Sequence, residues 1–183
     1  MGNEVIKKHI DAIIENTFEV LVAIKNGNSK KSRLIFPCYR SEDTRYSEQE
    51  LRFAFLEQFE LYCNKNKLSW LYSVETPTEK MYQISGKGKR SAEVDLTIHD
   101  ENRNRLALIE FKANQVSKSH FDKDFMKLHD EPGESLRYFI MYVLAKQPKR
   151  ALNALLKKIA DKKQGTIFVC YDLQNGSYLV DER

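Results

Sequence analysis

Glycine and proline are scarce, seven and four among 183 residues, and glycine gathers only at Gly86-Lys87-Gly88. That excludes a collagen-like or low-complexity chain, and no proline-rich linker or internal repeat divides the sequence. Cysteine is scarcer still. Cys38, Cys63 and Cys170 are odd in number, far apart and each beside an aromatic residue, which suits reduced thiols in the core rather than disulfides or zinc ligands. Long apolar runs are missing as well. The longest, Tyr138 to Ala145, falls far short of the roughly 20 residues a membrane span requires. Met1 to Ile10 carries no apolar stretch of the secretory kind. These absences lead to the expectation of a soluble, cytoplasmic protein with no membrane partner.

What remains suits one globular body. With 42% hydrophobic and 11% aromatic residues, a chain of this length buries one good core. A net charge of +4 and a pI near 8.8 permit a polyanionic partner without demanding one. The basic residues are unevenly spread. Lys87, Lys89 and Arg90 precede Asp95, while Lys118, Lys123 and Lys127 follow Lys112; each group is either solvated surface or a set of phosphate contacts.

Apolar spacing from Val5 to Ile24 predicts an amphipathic helix over Glu4 to Lys25, stopped by Asn26-Gly27. An irregular basic stretch, Asn28 to Arg45, leads to a second helix opened by Ser47 and running to about Asn64. Short β-branched and aromatic runs then predict strands at Leu68 to Val74, Met81 to Ser85, Ala92 to His99 and Arg105 to Ala113, the last two forming an antiparallel hairpin. A helix over Ser119 to Asp130 follows. Next come a strand buried on both faces at Leu136 to Ala145, a helix over Lys149 to Lys163, a strand at Thr166 to Leu173 and an edge strand at Ser177 to Val180. Such an order makes an α/β (mixed α+β) fold, a central mixed β-sheet flanked by helices. Trp70 and most Tyr and Phe residues fit its core better than a base-stacking platform.

Strict alternation places Glu93, Asp95 and Thr97 on one face of their strand and Val94, Leu96 and Ile98 on the other. In the apolar run Leu106 to Lys112, Glu110 and Lys112 share a face, about 7 Å apart. A central strand bears ionisable groups at such positions only when they are paired or bind a metal, because burying a lone charge is very costly. Two readings are open. Asp95 and Glu110, with the backbone carbonyl of Phe111, suit one or two hard divalent cations that activate water and clamp a phosphate, with Lys112 orienting or deprotonating that water and stabilising charge. Alternatively, Lys112 pairs with Asp95 across the hairpin and nothing reacts.

The string Arg90-Ser91-Ala92-Glu93-Val94-Asp95-Leu96, a turn, then Ala107-Leu108-Ile109-Glu110-Phe111-Lys112 resembles the PD-(D/E)XK restriction-endonuclease-like superfamily, whose motif is an Asp, a variable gap and Glu-x-Lys. Val94 stands where that family often has proline. The family core, a helix, three strands, a helix and a fourth strand, follows the order from Ser47 to Ala145. The resemblance thus covers roughly the last three quarters of the chain. It implies a nuclease-like core over 46–183, with residues 1–45 as an extra N-terminal helix and basic connecting segment packed on it. Further implications are a Mg²⁺-dependent endonuclease, Mn²⁺ substituting, with Asp95, Glu110 and Lys112 catalytic, and Asp95, Glu110 and the Phe111 carbonyl on the metal. DNA is the implied substrate, in defence, repair or mobile-element biology, and a homodimer suits cutting of both strands. Lys87, Lys89, Arg90, Lys118 and Lys127 are its expected nucleic-acid contacts. Many family members bring one more acid from the first core helix. Glu50 completes a capping box with Ser47, so Glu48, on the stripe of Leu51, Phe55, Phe59 and Tyr62, is the preferred residue and Glu50 the alternate. Gln115, His120, Asp124 and Lys127 either touch substrate or form a solvated face; His120 is given no catalytic role. A catalytically silent binding or assembly module with the same fold is the competing functional reading, and a structural domain whose N-terminal helix dimerises is another.

Overall fold

The computed structural model describes residues 2–28, 30–84, 88–114, 118–144, 150, 153, 156, 157 and 165–183. Helix α1, Asn3–Lys25, buries Ile6, Ile10, Ile13, Ile14, Phe18 and Leu21 along one face and ends where Gly27 turns to φ 73°. Glycine takes that left-handed conformation at no steric cost. Helix α2, Glu48–Asn66, starts at Ser47, whose backbone N–H donates to Glu50 Oε2 at 2.8 Å, the reciprocal half of a capping box. Its Leu51, Phe55 and Phe59 are fully buried against the sheet, as their spacing requires.

Strands β1 (Leu71–Ile84), β2 (Gly88–His99), β3 (Arg105–Ala113), β4 (Leu136–Val143), β5 (Ile167–Asp172) and β6 (Ser177–Asp181) form one mixed sheet in chain order. The pairs β1/β2, β2/β3 and β5/β6 are antiparallel; β3/β4 and β4/β5 are parallel. Helix α3, Lys118–Asp130, makes the crossover from β3 to β4. Helices α1 and α2 share one core with Leu96, Ile98, Ala107, Ile109, Phe111, Tyr138, Ile140 and Tyr142 on one sheet face. On the opposite face Phe121, Phe125 and Leu128 of α3 pack against Val94, Leu108, Phe139, Met141 and Phe168. The result is a three-layer α/β/α fold. No helix among the described residues is long and apolar enough to cross a membrane. The helix expected over Lys149 to Lys163 lies, apart from residues 150, 153, 156 and 157, outside the described residues.

Several expectations need correction. The two short strands expected at Leu68 to Val74 and Met81 to Ser85 are one strand, β1, with a register shift between Pro77 and Met81. Proline survives because β1 is an edge strand. The irregular backbone is satisfied by side chains: Glu131 accepts the N–H groups of Glu79 and Lys80 at 3.1 and 3.2 Å, and Thr78 Oγ1 accepts that of Ala92 at 2.9 Å. Cys63 and Cys170 are buried, but Cys38 is exposed. It sits in an irregular segment, paired with Thr44 in an isolated bridge, and its neighbour Tyr39 is exposed too, so an adjacent aromatic brought no burial. Alternation along β2 also breaks: Val94 joins the α3 side whereas Leu96 joins the α1/α2 side.

Candidate functional site

That break marks the place where β2 and β3 part. Their pairing runs from His99↔Arg105 to Leu96↔Ile109 and stops. The next amide of β3 on that side, Phe111 N–H, donates instead to Asp95 Oδ2 at 2.8 Å. Across from Asp95 on β1, between the pairs Val74↔Leu96 and Thr76↔Val94, Glu75 adopts φ 48°, a strained conformation for a residue with a Cβ. The Asp95 carboxylate therefore stands in for a strand neighbour. Because the N–H and C=O of one strand residue point to the same edge, the Phe111 carbonyl also turns toward this opening.

Glu110, one residue earlier on β3, points to the α3 side and is completely buried. Lys127 Nζ of α3 lies 2.7 Å from its Oε1, while Oε2 has no hydrogen-bond partner among the described residues. Burial pushes the Glu110 carboxyl up to about 8; repulsion from Asp95 and Asp124 adds to this, and Lys127 opposes it. Lys112 points the same way, with its Nζ 3.1 Å from Asp124 Oδ2 and 3.4 Å from Glu48 Oε2. Burial pulls its ammonium down, yet Asp124, Asp95, Glu48 and Glu110 outweigh that and hold it above the usual lysine range. Lys127 is treated alike: burial is opposed by Glu110 and Asp124, and the balance raises it. Both lysines stay charged at neutral pH.

The structure thus brings Asp95, Glu110, Phe111, Lys112 and Glu48 together. Glu50 stands apart, engaged by Ser47 and by Arg45 at 2.9 Å. The pair first considered for a purely structural role, Lys112 with Asp95, does not form. Asp95 Oδ1 instead accepts from Arg52 of α2 at 3.0 Å, and Lys112 turns to Asp124 and Glu48. Nor is the α3 face solvated where Asp124 and Lys127 lie, since each is only 7% exposed. Asp124 bridges the two lysines, 3.0 Å from Lys127, and Lys127 also donates to the Glu93 carbonyl at 2.8 Å. Lys127 is therefore part of the buried cluster, not an outward contact. Lys89 and Arg90 are exposed on β2. Lys87 and Gln115, and the side chains of Lys118 and His120, lie outside the described residues.

Arg52 escaped the sequence reading, although a signal was there: it follows Glu48 by four residues, so the two share a helix face. Together they deliver an acid and a guanidinium to one site.

A hard divalent ion fits these donors. The unpartnered buried Oε2 of Glu110 is an acceptor with nothing to accept, Asp95 lies close enough to raise that carboxyl, and the Phe111 carbonyl shares the strand edge of the N–H that Asp95 binds. Among the described residues no three His, Cys, Asp or Glu side chains form a ready-made cage. Compared with known proteins, the chain matches no family model, no curated protein and no solved structure.

Proposed function

We propose that this chain is a Mg²⁺-dependent nuclease of the PD-(D/E)XK kind, hydrolysing phosphodiester bonds of DNA. The observation that carries the reading is Glu110: a wholly buried carboxyl with an unpartnered oxygen, beside Asp95, where two central strands separate. Purely structural carboxylates are rarely left in this condition. In this reading Asp95, Glu110 and the Phe111 carbonyl hold the ion, which would supply Lewis-acid activation of water and of the scissile phosphate. Lys112 acts as a fixed positive donor to the phosphate and the attacking water, because the acids around it keep its proton in place. Asp124 sets its position and Lys127 steadies Glu110. Glu48 is the fourth acid, reaching the site through Lys112. Arg52 orients Asp95.

One set of contacts favours the rival, a catalytically silent module: Arg52 on Asp95 and Lys127 on Glu110 already compensate much of the charge. Supercoiled plasmid with millimolar Mg²⁺ or Mn²⁺ separates the two. The wild-type protein should nick or linearise it and EDTA should stop it. Asp95→Ala should abolish both cleavage and the rise in melting temperature that the ion causes. Lys112→Ala should keep the melting shift while slowing cleavage on the order of 10²-fold. A well-folded wild-type protein that shows neither cleavage of DNA nor a metal-dependent melting shift would leave only the silent module.

A further inference from the structure

Strand β2 pairs with β3 only over Leu96 to His99, yet its pairing with β1 continues to Ile84↔Gly88. Beyond Glu93 the two strands run on as a ribbon with no third strand among the described residues. Cross-strand partners share a face, so Gln83 and Lys89 stand on one side of it, Tyr82 and Arg90 on the other. Met81, Gln83, Lys89 and Arg90 are exposed, while Tyr82 is half-buried with its hydroxyl enclosed, so among the described residues it is the side of Met81, Gln83 and Lys89 that lies open. The base of the ribbon is braced, however. Glu131 holds the backbone of Glu79 and Lys80 and takes Arg105 at 2.6 Å, Lys80 meets Asp130 at 2.7 Å, and Lys127 holds the Glu93 carbonyl. It is a supported projection, and an isolated two-stranded ribbon is only marginally stable without such support.

Its unpaired charge is of one sign. Glu79 and Lys80 are engaged at the base, whereas Lys89 and Arg90 have no ion-pair or hydrogen-bond partner among the described residues. From the nuclease reading, on which this rests, we infer that the β1–β2 ribbon is an arm that enters the major groove of a DNA duplex beside the bond to be cut. A major groove about 12 Å wide admits a two-stranded β-ribbon, and Gln, Lys and Arg are side chains that reach base edges and phosphates there. Lys89 and Arg90 lie on the same strand as Asp95, six and five residues away, which is about 17 to 20 Å. At 3.4 Å per base pair the arm contacts the duplex at most about five or six base pairs from the scissile phosphate. A single strand offers no groove for it.

Fluorescence anisotropy tests this with a short labelled duplex and its single strand, Ca²⁺ replacing Mg²⁺ to hold off cleavage. Lys89→Glu with Arg90→Glu should weaken duplex binding by about tenfold or more and flatten the slope of log affinity against log salt by about 1.8, two phosphate contacts at roughly 0.9 each. Single-strand affinity should change far less. Lys89→Gln with Arg90→Gln should move the duplex the same way by a smaller amount, and ethylation interference should fall to one side of the site, within about five or six base pairs of it. Unchanged duplex affinity, equal losses on both substrates, or no duplex binding by the wild-type protein would each overturn the arm. The nuclease reading fails separately: Asp95→Asn should lose cleavage yet bind duplex with the wild-type salt slope, and duplex binding through the arm without cleavage by any form would sink the enzyme while keeping the arm.

Discussion

Glu48 and Glu50 stand two residues apart at the start of α2, and the helix gives them different work. Glu50 faces back to Ser47 and Arg45 and is 5% exposed; Glu48 reaches forward to Lys112. The capping contact satisfies a backbone N–H that the helix start leaves orphaned. Glu50→Ala should therefore cost about 0.5 to 2 kcal/mol of stability in urea unfolding and spare most of the metal-dependent activity. Glu48→Gln should do the reverse, lowering the cleavage rate at an unchanged unfolding midpoint. A folded but inactive Glu50→Ala beside a fully active Glu48→Gln would exchange the two assignments. The i, i+4 partner of Glu48, Arg52, shows how a single residue is overlooked: an arginine within an apolar helix stripe reads as a stray surface charge until its aspartate arrives from another strand.

At the level of the element, α3 contributes two kinds of contact to the sheet. Phe121, Phe125 and Leu128 pack on Phe139 and Phe168, the ring of Phe125 stacking on Phe139 at 4.5 Å. Asp124 and Lys127 occupy the adjacent positions of the same buried face and meet Glu110 and Lys112. Asp124 is the anion between two buried cations, so removing it leaves like charges facing each other away from water. Asp124→Ala should cost about 3 to 5 kcal/mol, the scale of breaking one partner out of a buried pair, and Asp124→Asn should recover little because it restores shape without charge. Chemical denaturation that finds either variant within about 1 kcal/mol of wild type would mean that α3 is held by its aromatic residues alone.

For the molecule as a whole, the buried carboxyl of Glu110 couples folding to pH and, under the proposed function, to metal. An acid raised from an ordinary value of 4.5 to about 8 binds its proton more tightly folded than unfolded. Its contribution to stability is thus full below about 4.5 and is lost as pH rises through about 8. Without metal, the protein should become steadily less stable across that window. A divalent ion that binds Glu110 must displace the proton, so Mg²⁺ or Mn²⁺ should restore stability toward the alkaline end, and calorimetry in buffers of different ionisation enthalpy should detect proton release. Glu110→Gln should flatten the pH dependence and remove the metal effect together. A metal-free stability that is level from pH 5 to 8 would show that Glu110 ionises without cost, and the unpartnered oxygen would then lose its significance.

Local pattern alone determined the helices α1 and α2, the hairpin of β2 and β3, the doubly buried β4 and the capping contact of Glu50 with Ser47. Each follows from periodicity, capping chemistry or the cost of burying charge, and all act within a few residues. Asp95, Glu110 and Lys112 were legible for the same reason: charges that interrupt an apolar strand conflict with their surroundings. Tertiary structure decided the rest. β1 runs through Pro77 because Glu131, more than fifty residues later, takes the amides its neighbours expose. Alternation fails at Asp95 because its carboxylate replaces a strand partner for Phe111. The cations that meet Asp95 and Glu110 come from α2 and α3, not from the neighbouring motif lysine. Which charge compensates which depends on side chains brought within a few ångströms across layers, and no spacing along the chain encodes that distance.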